Sequence, residues 1–491
     1  MPEDTPTASP PALPPSPLDK INDFSDRLSP MLVKELRQGM RTNTFVILFL
    51  LLQAFLMLIL LATSAVDNSN SGEFISGIIF SFFSLAVLVV QPLRGITAIS
   101  GEIKGDTIDL MSLTGLSAWR IAYGKWTSIM GQSALFLLAI IPYLILRYFF
   151  GGMQLFAELF LLFSIFVASG VLTAFTIGLS TFSLALIRVL PLIGGCLLFF
   201  LIFGIAFSEL DEVLALFSPS SGEHWLGLLA GYFIAIYVGY FFLDLAATAI
   251  APASENRATR KRLIGWGVIL ASFAILHPID SDTAWILASF LMILISFDLY
   301  SENQEYPSIV LRPFLRFGFF GKILSRFLAP GWATGTLAFL AIICSLALVH
   351  WLKEGSFIFS DPDILIPLGV MFGITQFPVM LINLFQKRLK DRLTTLVLSS
   401  TLLLLLIPLF GIIEDLGGND SLMSFFCFIP YAQPFLPRSM SDETSLLIIW
   451  ASTLTYVLIN LVFAFPHLRK LGKLEKEEIE NLAAHNENRT S

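Results

Sequence analysis

Apolar runs of about 20 residues recur roughly a dozen times along this chain, and no other feature restricts its fold so tightly. A run of that length in a helix crosses the hydrocarbon core of a bilayer once. The runs fall near 44–65, 74–93, 126–150, 155–183, 190–206, 226–250, 263–277, 285–299, 332–350, 364–384, 393–413 and 445–466. The seventh and eighth are short, so ten spans plus a re-entrant hairpin is the rival count. The expectation is all-α: a polytopic transmembrane helical bundle of about 12 spans.

Composition points the same way. Hydrophobic residues make up 55% of the 491 and charged residues 14%, against about 25% charged in soluble domains. A single soluble core stops growing near ~250–300 residues, so a soluble chain this long and this poor in charge would leave apolar surface uncovered. The net charge of −7 says little, because membrane proteins sort charge by side. No cleavable leader is visible. The first 43 residues are mostly polar, and Met1 to Pro17 is Pro-rich and expected to be disordered. Cys196 and Cys344 lie in apolar runs and read as small core residues; with Cys427 they show no metal spacing.

Lysine and arginine remain on the cytoplasmic side of membrane proteins. With the N-terminus inside, every one of the 30 basic residues except Arg147, Lys353 and Arg438 falls on inner segments. An even number of spans then returns the C-terminus to the cytoplasm. The inner loops Arg94–Lys125 and Tyr300–Gly331 have equal length. The outer loops carrying Leu216-Phe217-Ser218-Pro219 and Phe428-Ile429-Pro430 also correspond. Two six-span halves in parallel order are expected, a transporter layout. The boundaries are 1–28 for the Pro-rich terminus, 29–262 and 263–466 for the halves, and 467–491 for a charged tail. The tail carries Leu471, Leu474, Ile479 and Leu482 and reads as a solvated helical extension.

Two segments stand out at the inner face. Ser29 can cap, and Pro30 can open, a short helix before the first span. Leu32, Val33, Leu36 and Met40 share one face of it, with Lys34, Glu35, Arg37 and Gln38 elsewhere, a pattern suited to the interface. After the second span, Asp106 can cap a small helix with Asp109 in its first turn and Ile108 and Met111 on its apolar side. Gly115 suits its stop and Ser117 a new cap.

These residues resemble the membrane-spanning permeases of ATP-binding-cassette (ABC) exporters of the second type. That family often opens with Pro-x-x-x-Lys-Glu-Leu-Arg, matched by Pro30, Lys34, Glu35, Leu36 and Arg37. Its loop after the second span is matched by Ser100, Gly101, Glu102, Gly105, Thr107, Asp109, Leu110 or Met111, Thr114, Leu116, Ser117, Gly124 and Lys125. Ile103 replaces the usual arginine and Gly115 the usual proline. Pro252 to Arg257 resembles the end of the family's six-span unit, so the likeness covers about 29–262. It implies that Glu102 to Ser117 couples to a separate ATPase at the cytoplasmic face, and that six-span units pair, through a homodimer, a second permease or the chain's own second half. It further implies a multi-pass protein of a bacterial inner membrane.

The engine is not in this chain. No Gly-x-x-x-x-Gly-Lys-Ser/Thr loop is present, and loops of about 30 residues leave no room for a nucleotide-binding domain. No enzyme activity, cofactor, metal or nucleic-acid partner is expected; lipids are. Charge inside spans is costly and often functional. Asp244 is the deepest acid, and Asp298 lies near a span end. Arg147 and Glu158 flank a hairpin at similar depth and are expected to pair. Gln53, Gln91, Gln376, Asn383 and Asn460 read as interhelical hydrogen-bonding groups. His277 and His350 sit at span ends with no second histidine in metal spacing. An ion-coupled secondary transporter using Asp244, and a membrane scaffold or lipid-modifying enzyme, stay open as alternatives.

Overall fold

The computed structural model describes residues 30–64, 71–105, 116–149, 154–182, 184–208, 210–216, 222–252, 255–302, 306–355, 362–385, 392–405, 428–433 and 442–490. The Pro-rich terminus, Gly151-Gly152, Phe217 to Pro219 and most of the segment 102–117 lie outside them. Among the described residues the regular structure is helical throughout, with no strand.

A short helix, α1 (Pro30–Met40), opens with its proline, as the missing amide permits. It leads into α2 (Asn43–Ser64) and α3 (Ser71–Ser84). A π-helical turn, Leu85–Val90, and the short helix Gln91–Leu93 extend α3. The loop that follows holds α4 (Ser100–Lys104). Then come α5 (Ala118–Tyr148), α6 (Leu155–Leu179), α7 (Ala185–Ser208), the small α8 (Leu210–Leu216) and α9 (Gly222–Ile250). The second half runs α10 (Ala258–Leu276), α11 (Ser281–Ser301), short turns over 308–315, α12 (Gly318–Leu328), α13 (Trp332–Glu354), α14 (Pro362–Phe385), α15 (Arg392–Leu404) and α16 (Asp442–Thr490).

Ten of these helices are long and apolar enough to cross a membrane. The short run near 285–299 is the 21-residue α11, which meets that standard. The run near 263–277 does not, because Arg260, Lys261 and Arg262 fill the first turns of α10. The described part of the run near 393–413 is the 13-residue α15.

Each half has its own core. Phe80, Phe83 and Phe136 are fully buried at the centre of the first, among α2, α3, α5 and α6. Phe273, Met292 and Phe339 anchor the second, to which α9 contributes Tyr237. Large apolar side chains such as Leu50 and Leu61 on α2 and Leu197 and Phe200 on α7 face outward. A soluble protein rarely exposes such a surface; a bilayer covers it. This is also where the cysteine expectation fails. Cys344 is exposed and Cys196 half-buried, because apolar runs in lipid point small residues outward as readily as inward.

The packing partners repeat between halves. α2 contacts α3 and α5, as α10 contacts α11 and α13. α3 contacts α5 and α7, as α11 contacts α13 and α15. α9 packs on α5 and α6, as α16 packs on α13 and α14, and α6·α9 and α14·α16 are the two most extensive helix contacts among the described residues. The close contact of α5 with α6 has no comparable counterpart among the described residues of the second half.

The tail is not merely solvated. Leu471 is buried against Leu311, Phe314 and Leu328, and Leu474 packs beside it. Glu475 accepts from Ser325 at 2.6 Å and pairs with Arg326 at 3.0 Å. The amphipathic α12, with its buried Ser325 and Leu328, supplies the surface that the tail covers.

Candidate functional site

Three segments far apart in sequence meet at one lysine. Lys125, in the second turn of α5, is 7% exposed and places its Nζ 2.8 Å from Glu102 Oε1 on α4 and 3.3 Å from Glu35 Oε1 on α1. One ammonium therefore joins the interfacial helix, the start of the long inner loop and the third expected span. The helices approach closely beside it. A Cβ on Gly131 would lie 3.0 Å from Leu36 Cδ2, and one on Gly39 would lie 2.2 Å from Gln132 Nε2.

A pocket of about 160 Å³ lies beside the lysine, lined by Glu35, Thr42, Arg94, Lys125, Ser128 and Gln132. Arg94 stands on its wall. Its Nη2 donates to Gly39 O at 3.2 Å and Thr42 Oγ1 at 3.4 Å, and burial lowers its pKa from the usual value. Arg94 was not singled out from sequence, although it is the first basic residue after the second apolar run. Sequence patterning gave no means of telling a packed arginine from an ordinary inner-face charge.

The segment leading to Glu102 is fixed on its other side too. Ile99 is fully buried among Ala122, Ala174, Ile177, Leu243 and Ala247, from α5, α6 and α9. Its amide donates to Ser180 Oγ at 3.2 Å, and Arg188 Nη1 donates to Ser100 Oγ at 3.3 Å. The α4 region is thus tied to α5, α6 and α7, and through Lys125 to α1. Of the other expected coupling residues, Gly105 ends α4, and Leu116 precedes Ser117, whose Oγ accepts from the Arg120 amide at 3.4 Å as the cap of α5. Thr107, Asp109, Leu110 and Thr114 lie outside the described residues. Pro30, Lys34 and Arg37 lie on α1, with Lys34 and Arg37 exposed.

The second half fastens its inner loop with other groups. Arg262 Nη2 lies 2.6 Å from Glu302 Oε2, which also accepts from the Gly331 amide at 2.8 Å. Lys261 pairs with Asp298. These buried pairs were not foreseen, because no local spacing links 262 to 302.

Asp244 is fully buried but is not a lone mid-membrane acid. Its Oδ1 pairs with Arg257 and, at 3.0 Å, with Arg260, so it faces the basic end of the bundle. Arg147 and Glu158 form the expected pair, 3.3 Å apart and 1% and 0% exposed. Ser76 bridges them, accepting from Arg147 Nε at 2.6 Å and donating to Glu158 Oε2 at 3.2 Å. Gln376, Asn383 and Asn460 join Tyr300 and Arg392 in one buried chain across α11, α14, α15 and α16. Gln53 donates to Ala139 O at 3.4 Å. The side-chain amide of Gln91, by contrast, is buried without a hydrogen-bond partner among the described residues. His277 Nε2 and His350 Nδ1 are 3.0 Å apart and hydrogen-bonded to each other, a contact not foreseen from sequence, because α10 and α13 pack side by side. No group of three or more metal-ligating side chains occurs among the described residues.

No family model, no curated protein and no solved structure matches the chain. Its helices and buried charges define it as a polytopic helical integral membrane protein.

Proposed function

We propose that the chain is the membrane-spanning permease of an ABC-type exporter, driven by ATP hydrolysed on a separate subunit at the cytoplasmic face. The observation that carries this reading is Lys125 joining Glu35 and Glu102. Two of the three segments on which the family resemblance rests, the opening helix and the loop after the second span, meet at that lysine. A push on the 102–117 segment would reach α1 and α5 through that point, and α6 and α7 through Ile99 and Ser100. Charge sorting supports an N-inside orientation in a bacterial inner membrane, with both termini cytoplasmic. The recurring helix contacts support two parallel halves, so that one chain supplies both units of the pathway.

The ion-coupled alternative needs an acid free to take up a proton or cation near the midplane. Asp244 is held by two guanidinium groups, which weakens that case. In the exporter reading, a Walker-motif ATPase copurifies with the full chain in mild detergent. Glu102→Gln and Thr107→Ala then uncouple its hydrolysis from transport while thermal stability stays near wild type. Coupling unaltered in both variants counts against the assignment.

A further inference from the structure

An aromatic cleft opens on the side of the first half, separate from the lysine cluster. It has a volume of about 350 Å³ and lies between α5, α6 and α9, at the low end of the range of roughly 300–1,000 Å³ for small-molecule sites. Its walls are almost wholly apolar. Trp119, Tyr123 and Trp126 form a ladder along α5, with ring centroids 6.2 and 5.7 Å apart, and Tyr240 of α9 meets Trp119 at 5.3 Å. The Trp126 indole is satisfied by Gly170 O at 2.9 Å, so its donor is not offered to an occupant. Tyr123 and Ile236, 46% and 69% exposed, mark the open side, which faces where lipid would lie.

The rim at the basic end is cationic. Arg260 lies 6.0 Å over the Trp119 ring and its side chain is 53% exposed. It contacts Asp244 Oδ1 at 3.0 Å, an oxygen shared with Arg257, which pairs with Glu255 as well, and the exposed part of the Arg260 guanidinium keeps donors for an anion at the rim. A guanidinium carries five N–H donors in a fork suited to phosphate. Tryptophan and tyrosine prefer the headgroup level of a bilayer. A slot with almost no polar lining, ending in an arginine at the basic end of the bundle, matches an amphiphile with its chain inside and its phosphate at the rim. It is too small for a partner helix, which is about 10–12 Å across.

We propose that this cleft holds one acyl chain of a phospholipid whose phosphate is bound by Arg260. The proposal does not depend on the exporter reading. A designed obstruction is available at Gly239, where an added Cβ meets only Ala174 Cβ, at 4.0 Å. Gly239→Leu therefore fills the slot without a backbone conflict and favours helix besides.

The test uses the purified full-length protein with a phosphatidylglycerol carrying a diazirine in its acyl chain, and maps adducts by mass spectrometry. Adducts are expected to concentrate on 119–130, 166–171 and 235–243. Unlabelled phosphatidylglycerol is expected to displace them about tenfold better than diacylglycerol of the same chains, the worth of a charged hydrogen bond. Gly239→Leu removes these adducts while those on α2 and α7 persist. Arg260→Gln keeps the adducts and abolishes the preference over diacylglycerol. Equal competition by the two lipids in the wild-type protein overturns the proposal and needs no variant. So does an adduct pattern that a folded Gly239→Leu leaves unchanged.

Discussion

Arg147 and Glu158 are buried together at the end of a hairpin, where removing either leaves an uncompensated charge. Breaking such a pair costs about 3–5 kcal/mol, whereas replacing both members by apolar groups is often close to neutral. Arg147→Leu is expected to lower the thermal unfolding midpoint in detergent sharply. The double variant Arg147→Leu/Glu158→Leu is expected to recover most of the loss. A double variant no better than the single would mean that Ser76 and the helix ends, not the pair, hold this corner. The pair was legible in the sequence because a short hairpin puts its two ends at the same depth. The lysine cluster was only half legible. Glu35, Glu102 and Lys125 each lie in a recognisable segment, yet the contact among them depends on how α1 crosses α5, which no local pattern encodes. Asp244 was misjudged for a related reason. Its position within an apolar run suggested depth, but the register of the following loop brings Arg257 and Arg260 back over it.

At the scale of elements, the π-helical turn ahead of the inner loop explains several contacts. Pro92 has no amide to offer the Leu88 carbonyl four residues earlier. Ser169 of α6 donates to Val87 O at 2.7 Å, and α7 comes in against Leu88 through Gly195. A Cβ there would stand 2.3 Å from Leu88 O, a backbone atom that cannot swing away. Gly195→Val is therefore expected to destabilise by about 1–3 kcal/mol or more, read as a lower unfolding midpoint. Gly194→Val next to it, where nothing lies within 4 Å of the added carbon, is the neutral control. Equal effects at both positions would show that helix propensity, not the crossing, decides. The tail gives a second test at this scale. With Leu471 buried on the second inner loop, Leu471→Asp is expected to speed proteolysis of 467–490 while leaving the spans protected. Unchanged cleavage would place the tail in solvent, as its charge-rich sequence suggested. Leu471 and Leu474 could be seen in the sequence, but their partner surface on α12 could not.

Across the whole molecule, composition and run length dictate a helical membrane protein, and the helices duly form where the runs lie. What they do not dictate is count. Three basic residues crowd the start of α10, and the described α15 is 13 residues long, so ten helices among the described residues satisfy the spanning requirement. The repeated packing of the halves is a property of contacts, and so it emerges only in three dimensions, from halves with no evident sequence identity. If the charge sorting reports orientation, reporter tags at residues 1 and 491 are accessible from the same side of sealed vesicles. Opposite accessibility would require an odd number of spans.

The central claim is that the Glu35–Lys125–Glu102 junction passes nucleotide-driven motion from a partner ATPase into the spans. Hydrogen–deuterium exchange on the complex purified with its native associates tests it most directly, with and without ATP and vanadate. The account predicts nucleotide-dependent changes in exchange that concentrate on 30–42 and 94–125, and that Lys125→Met confines to the loop. Exchange at both segments that is indifferent to nucleotide, or a chain that purifies with no nucleotide hydrolase, would contradict it.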